Sequence, residues 1–157
     1  MPKKMLGFVV EDLAAGQVPY ELIHNSNEFL RKDSEINISL FYMENSFPCL
    51  WPQFARFNIK DTVGFKGCLI ATSVTTAFAI QKAHRADRYF YIQDLEWLRP
   101  WFSETKDQWN TVMSDTSITK FCRSQDHLNQ LCENRYQVKG YVENFNIKNI
   151  LEIVKWH

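Results

Sequence analysis

The chain has 157 residues, which suffices for one domain with its own hydrophobic core. Its 18 Lys and Arg residues equal its 18 Asp and Glu residues in number, so the sequence lacks the basic excess typical of proteins that grip the nucleic-acid backbone. No apolar run is long enough to cross a membrane, and the first run ends at Glu11, which predicts a strand rather than a signal peptide.

Short apolar runs alternate along the chain with segments of helical periodicity. Such runs are typical of strands in a parallel sheet that is covered on both faces. They predict strands at residues 5–10 and 67–72, and alternation with β-forming residues predicts one at 36–43. Further strands are predicted at 88–93, 118–122 and 136–142. Helices are predicted from about Pro19 to residue 33, over 74–86, over 103–114, after Ser124, and over 147–156.

Local signals refine these elements. Pro19 suits the first turn of a helix, where its missing N–H costs nothing. Ser73, Ser103 and Ser124 are each placed to cap a helix. The irregular stretch 44–60, with two prolines and four aromatic residues, is either a long ordered loop or contains a short strand near residues 54–59.

The alternation of strands and helices predicts the fold class. Strands joined through helices form parallel sheets with right-handed crossovers. We therefore expect an α/β fold, a Rossmann-like three-layer αβα domain over residues 1–157, with a mostly parallel sheet of about six strands. No second domain is predicted.

Cysteine spacing and short motifs bear on compartment and cofactors. The four cysteines form no CxxC pair and no zinc-type set, which indicates reduced thiols and a cytoplasmic protein. Cys68, Cys122 and Cys132 lie in apolar runs and are expected to be buried. The absence of EF-hand and HExxH motifs predicts no metal, and the absence of GxGxxG and GxxxxGK[ST] disfavours NAD and ATP. No cofactor is predicted.

Candidate site residues follow from the rule that open parallel sheets bind ligands beyond the carboxyl ends of their strands. Asp94 and Glu96 are the predicted catalytic groups, since a carboxylate at a strand end beside aromatic surface can act as a base on a hydroxyl. The alternative is that one of them caps the next helix or pairs with Arg99. The predicted substrate-binding residues are Gly16, Gln17, Thr72, Ser73, Gln93, Trp97, Arg123 and Ser124.

Two segments carry a family resemblance. Residues 67–77 (GCLIATSVTTA) followed by 88–96 (RYFYIQDLE) resemble the N-terminal domain of GT-B-fold glycosyltransferases of the family 4/1 kind. Segments 121–124 (FCRS) and 140–145 (GYVENF), and the Gly16 loop, match the same domain in order. In layout the chain also resembles the phage enzymes that glucosylate modified DNA bases. The resemblance implies that this chain supplies the acceptor side of a sugar-transfer cleft through the Gly16 loop, Ser73, Asp94 and Ser124.

The same resemblance implies that a second, donor-binding domain is needed for activity. GT-B enzymes bind the nucleotide-sugar donor mainly with a second domain, so a partner chain or a homo-oligomer is expected to supply it, with a carbohydrate or glycosylated acceptor as substrate. The leading hypothesis is thus a glycosyltransferase that is incomplete on its own. The alternative is a non-catalytic carbohydrate- or protein-binding module that uses the aromatic segment 47–57 and the Trp97/Trp101 pair. A nucleotide-modifying enzyme is disfavoured because no phosphate-loop motif is present.

Overall fold

The computed structural model describes residues 3–14, 16–33 and 35–156. The strands are β1 (Lys4–Val10), β2 (Ile36–Tyr42), β3 (Ala55–Asn58), β4 (Cys68–Ala71), β5 (Asp87–Ile92) and β6 (Ile118–Cys122). The helices are α1 (Gln17–Leu30), α2 (Val74–Ala79), α3 (Phe102–Ser114), α4 (Gln125–Glu133) and α5 (Ile147–Ile153). Short 3₁₀ helices lie at Ile59–Gly64, Ile80–Lys82 and Glu96–Leu98.

The six strands form one sheet in the order β3-β2-β1-β4-β5-β6, and every pairing between neighbours is parallel. The strand order changes direction at β1, which pairs with β2 on one side and with β4 on the other. The predicted α/β, Rossmann-like fold with about six strands is confirmed. In such sheets the reversal leaves a crevice at the carboxyl ends of the two central strands.

Alternation along each strand builds a core on both faces of the sheet. Phe8 packs in one apolar cluster with Leu22 of α1 and Ile150 of α5, whereas the next residue, Val9, packs in the other cluster with Ala77 of α2 and Val112 of α3. Because both faces are covered, the central strands β1 and β4 are apolar over most of their length, which explains why continuous apolar runs predicted them correctly.

The predicted strand at 136–142 is wrong, because this segment forms no strand and makes only an isolated bridge to β6. Only Tyr141 bridges to β6, at Cys122, and backbone hydrogen bonds to β6 begin at Lys139, whose N–H donates to the carbonyl of Lys120. Tyr136 instead packs its ring against Trp97 and Trp109, so this part of the chain does not pair with the sheet. The stretch 44–60 does contain a short strand, β3, as one of the two predictions had it.

Two of the three serines that were predicted to cap helices do so. Ser73 caps α2 by accepting from the Thr76 N–H at 3.2 Å, and Ser124 caps α4 by accepting from the His127 N–H at 3.2 Å. Ser103 does not cap α3, because the helix begins one residue earlier, at Phe102, after an N-cap Trp101 that makes no side-chain cap bond.

Several boundaries and exposures also differ from the predictions. The helix predicted to reach residue 86 ends at Ala79 and continues as a 3₁₀ turn, and α5 ends at Ile153 rather than at residue 156. Cys68 and Cys122 are buried as expected, but Cys132 is exposed, because it lies on the solvent side of α4 next to the buried Leu131. Within the three described ranges, no helix is both long enough and apolar enough to span a membrane.

Candidate functional site

The loops after β1, β4 and β5 meet at the carboxyl edge of the sheet, where the strand order reverses. They enclose a cleft of about 350 Å³, here called the first cleft, whose volume is within the range of small-molecule sites. The predicted site residues that line it are Gly16, Thr72, Ser73, Gln93, Asp94 and Glu96. Residues from three different loops that are far apart in the sequence are therefore neighbours in the fold.

The other predicted site residues lie elsewhere. Gln17, Arg123 and Ser124 line a separate cleft of about 420 Å³, here called the second cleft, and Gln93 borders both clefts. Trp97 lines neither cleft. Its ring packs against Trp109 and Tyr136, each at a centroid distance of 5.9 Å, so the structure places Trp97 as an anchor for the segment that carries Glu96.

Arg99 links the two predicted catalytic carboxylates. Its guanidinium is hydrogen-bonded to the Asp94 carboxylate, and its Nε lies 3.8 Å from Oε2 of Glu96. Asp94 thus forms the pair with Arg99 that the sequence offered as the alternative to a catalytic role. Both partners of that pair are partly exposed, so the pair contributes little to stability. It orients Arg99, which lines the first cleft.

Glu96 is the buried carboxylate of the first cleft. Its side chain is only 7% exposed, because it begins a 3₁₀ turn between the buried Leu95 and the packed Trp97. Burial raises the pKa of Glu96, Arg99 opposes that shift, and the negative charges of Asp94 and Glu11 add to it. A buried carboxyl group with a raised pKa at the wall of a cleft is a candidate for proton exchange with a ligand hydroxyl.

The predicted hydroxyl groups of the first cleft are already engaged in the fold. The Thr72 hydroxyl donates to the carbonyl of Val9 at 2.8 Å. Ser73 Oγ caps α2 and lies 3.1 Å from the Thr76 hydroxyl. These two residues shape the wall of the cleft, whereas their polar atoms are satisfied by the protein.

Two other polar atoms at the first cleft have no such partner. The Gln93 amide nitrogen and the Thr105 hydroxyl are buried and make no hydrogen bond within the described part of the chain, and both residues line the cleft. Buried polar atoms are normally paired, so an unpaired one at a cleft wall is a candidate ligand contact. No sequence pattern pointed to Thr105, because it lies inside α3 rather than in a strand-end loop.

The loop after β1 gives the first cleft an acidic wall. Glu11 and Asp12 line it together with Asp94 and Glu96, and Arg99 is the cationic residue among them. Gly16 is the N-cap of α1 in an extended conformation that any residue adopts, and an added Cβ there would meet Pro19 at an ordinary 3.6 Å. Gly16 is therefore not required by the backbone geometry of this loop.

The acidic residues do not form a metal cage. Across the residues that the structure describes, no group of three or more His, Cys, Asp or Glu side chains is arranged to hold a metal ion. The balance of charge at the first cleft suits a ligand that donates hydrogen bonds, and it disfavours one that brings several negative charges.

We expect the free energy of unfolding of Glu96→Gln to increase relative to that of wild type as the pH rises from 4 to 7. The folded state raises the pKa of Glu96, so wild type loses stability as the buried carboxyl ionises, whereas Gln does not ionise. Urea unfolding of both proteins at several pH values measures the difference. The exposed Glu152 of α5, as Glu152→Gln, is the matched control, and a pH trend equal in both variants would contradict the prediction.

Comparison with known proteins identifies no relative. No protein-family model, no curated protein and no solved structure matches the chain. The functional assignment therefore depends on the geometry and chemistry of the two clefts.

Proposed function

We propose that this chain is the acceptor-side domain of a glycosyltransferase, which binds a hydroxyl-bearing acceptor in the first cleft. It transfers a sugar from a nucleotide sugar when a partner supplies the donor-binding half. The observation that carries the proposal is Glu96, a buried carboxyl group with a raised pKa at the cleft where the strand order reverses. The resemblance of segments 67–77 and 88–96 to GT-B acceptor domains supports the same reading.

The proposed chemistry needs one base in this half of the enzyme. Glu96 accepts the proton of the acceptor hydroxyl while the acceptor oxygen forms a bond to the anomeric carbon of the donor sugar. The bond from that carbon to the diphosphate breaks, and the nucleoside diphosphate leaves with the electron pair. Arg99, held by Asp94, lies beside Glu96, and its charge opposes the upward shift that burial gives to the pKa of Glu96.

The charge of the first cleft favours an acceptor over a donor. The side chains of Glu11, Asp12 and Asp94 would repel a nucleoside diphosphate, whereas they can accept hydrogen bonds from sugar hydroxyls. The loop after β1 also lacks the glycine pattern that cradles phosphates. Donor binding is therefore assigned to a second half. The orientation of donor and acceptor in the closed cleft then supplies much of the rate enhancement.

The test is a label-transfer assay. The full chain is incubated with sugar-labelled UDP-glucose, UDP-galactose or GDP-mannose and with extract of the source cells, which supplies partner and acceptor. We expect labelled product from wild type and from Glu152→Gln, and at least about 100-fold less from Glu96→Gln, as is typical for loss of a general base. The absence of product with every donor, or equal product from Glu96→Gln, would refute the proposal.

A specific observation supports the second candidate, a non-catalytic carbohydrate-binding module. Phe47 and Trp51 are 86% and 61% exposed on a loop that the buried Asn27 fixes through bonds to the carbonyl of Trp51 and the N–H of Gln53. Fixed, exposed aromatic rings stack well on sugars. If the chain is such a module, Trp51→Ala abolishes the saturation-transfer NMR signals of bound oligosaccharide. Glu96→Gln then binds oligosaccharide like wild type, and neither protein transfers a sugar.

A further inference from the structure

We infer that the second cleft is a subsite for an anionic sugar unit, that is, a hydroxyl-bearing ring that carries a phosphate or carboxylate group. The inference rests on the proposed function, because it names the class of acceptor that the adjacent first cleft would receive. It depends on three features of the second cleft: a cation at a helix amino end and a buried amide, both without a partner among the described residues, and two carboxylates on the same lining.

The second cleft adjoins the predicted catalytic carboxylates. It lies between the amino ends of α1 and α4 and the segment 143–145, with a volume of about 420 Å³. Gln93 borders both clefts and directly precedes Asp94 in the chain. A ligand unit in the second cleft therefore lies next to the first cleft, and one acceptor can occupy both.

The cationic group is Arg123, which follows β6 and is exposed. Its guanidinium forms no ion pair within the described ranges, although Glu21 and Glu143 line the same cleft. The next residue, Ser124, caps the nine-residue helix α4 and takes up the N–H of His127. The amides of the first turn ahead of His127 have no partner inside the helix, so this end attracts an anion.

Gln93 is the independent sign that a ligand belongs here. Its residue is 9% exposed, and its amide nitrogen has no hydrogen-bond partner among the described residues. The neighbouring Tyr91 hydroxyl donates to the carbonyl of Val142. It also interacts with the Gln93 side chain, but the two do not reach hydrogen-bond geometry. A buried N–H donor without an acceptor is costly to a protein, and a ligand oxygen in either cleft would satisfy it.

The mixed charge of the second cleft selects the ligand. An anionic group fits at Arg123 and the amino end of α4, where it gains charge-assisted hydrogen bonds. Glu21, which already accepts from the Gln17 amide at 3.1 Å, and Glu143 can accept bonds from ligand hydroxyls. These two carboxylates disfavour a polyphosphate or a nucleic-acid backbone, which would bring further negative charge against them.

The test is a calorimetric titration of the full chain with four probes: glucose, glucose 6-phosphate, glucuronate and inorganic phosphate. We expect glucose 6-phosphate or glucuronate to bind at least about 10-fold more tightly than glucose, and the stronger of the two identifies the anionic group. Arg123→Gln is expected to remove that preference, whereas Arg85→Gln, an exposed arginine in the turn before β5, keeps it within about twofold.

A second variant separates ligand binding from structure. Gln93→Met removes the unpartnered amide at similar volume, so we expect an unchanged or higher Tm together with weaker binding of the anionic sugars. A lower Tm with unchanged affinity would overturn the role of Gln93. An anionic preference that survives Arg123→Gln, or inorganic phosphate that binds as tightly as glucose 6-phosphate, would overturn the subsite.

These titrations do not depend on turnover. Arginine-dependent binding of an anionic sugar supports the subsite even where Glu96→Gln transfers label like wild type, a result that refutes the proposed function and leaves the subsite standing. The converse result, loss of transfer in Glu96→Gln without any anionic preference, refutes the subsite and leaves the proposed function standing.

Discussion

Replacement of Trp109 by Ala is expected to lower the free energy of unfolding by about 3–5 kcal/mol, the usual cost of deleting a large buried aromatic side chain. Trp109 is fully buried in α3 and contacts Phe90, Trp97 and Tyr136 at ring-centroid distances of 6.3, 5.9 and 5.5 Å. Its indole N–H donates to the Tyr136 hydroxyl at 3.0 Å. The substitution therefore removes apolar contacts on three sides and leaves the Tyr136 hydroxyl without its donor.

Such a loss is a large part of the 5–15 kcal/mol that typically stabilises a domain. It should also reach the first cleft, because Trp97 holds the turn that carries Glu96 and packs on Trp109. We expect weaker near-ultraviolet circular dichroism and a lower urea midpoint in Trp109→Ala. Trp51→Ala, which removes an exposed ring, is the control and should cost less than about 1 kcal/mol. A loss of that small size in Trp109→Ala would contradict the prediction.

Replacement of Gly67 by Ala is expected to destabilise the protein by about 3–5 kcal/mol through backbone strain and overpacking. Gly67 has a φ of +145°, which side-chain-bearing residues rarely adopt, and an added Cβ would lie 2.4 Å from the carbonyl oxygen of Met5. That oxygen belongs to β1, so relief requires movement of one of the two central strands. The cleft at the reversal of strand order depends on this β1–β4 pairing.

Gly64→Ala provides the matched control. Gly64 lies three residues away, at the end of a 3₁₀ helix, and an added Cβ there would meet nothing within 4 Å. We expect that variant to unfold within about 0.5 kcal/mol of wild type. Thermal and urea unfolding of both variants measures the difference, and equal stability of Gly67→Ala and Gly64→Ala would show that the strand pairing tolerates a side chain at position 67.

The sequence by itself determined the layers of the fold. A strand that is covered on both faces must be apolar at successive positions, so β1 and β4 were visible as short apolar runs without any tertiary information. The hydroxyls of Ser73 and Ser124 predicted helix starts because a cap bonds within three residues. The strand-end rule then selected the loops that hold Asp94, Glu96 and Arg123.

The tertiary structure decided what those loop residues do. Whether Trp97 faces a ligand or Trp109, whether Tyr136 continues a strand, and whether Arg123 meets Glu143 all depend on contacts between segments distant in the chain. The properties of Glu96 and Gln93 also depend on packing: burial raises the pKa of Glu96, and the buried amide nitrogen of Gln93 has no hydrogen-bond partner in the described part of the chain. Local sequence sets backbone periodicity and caps, whereas burial and electrostatic environment arise only when remote segments pack together.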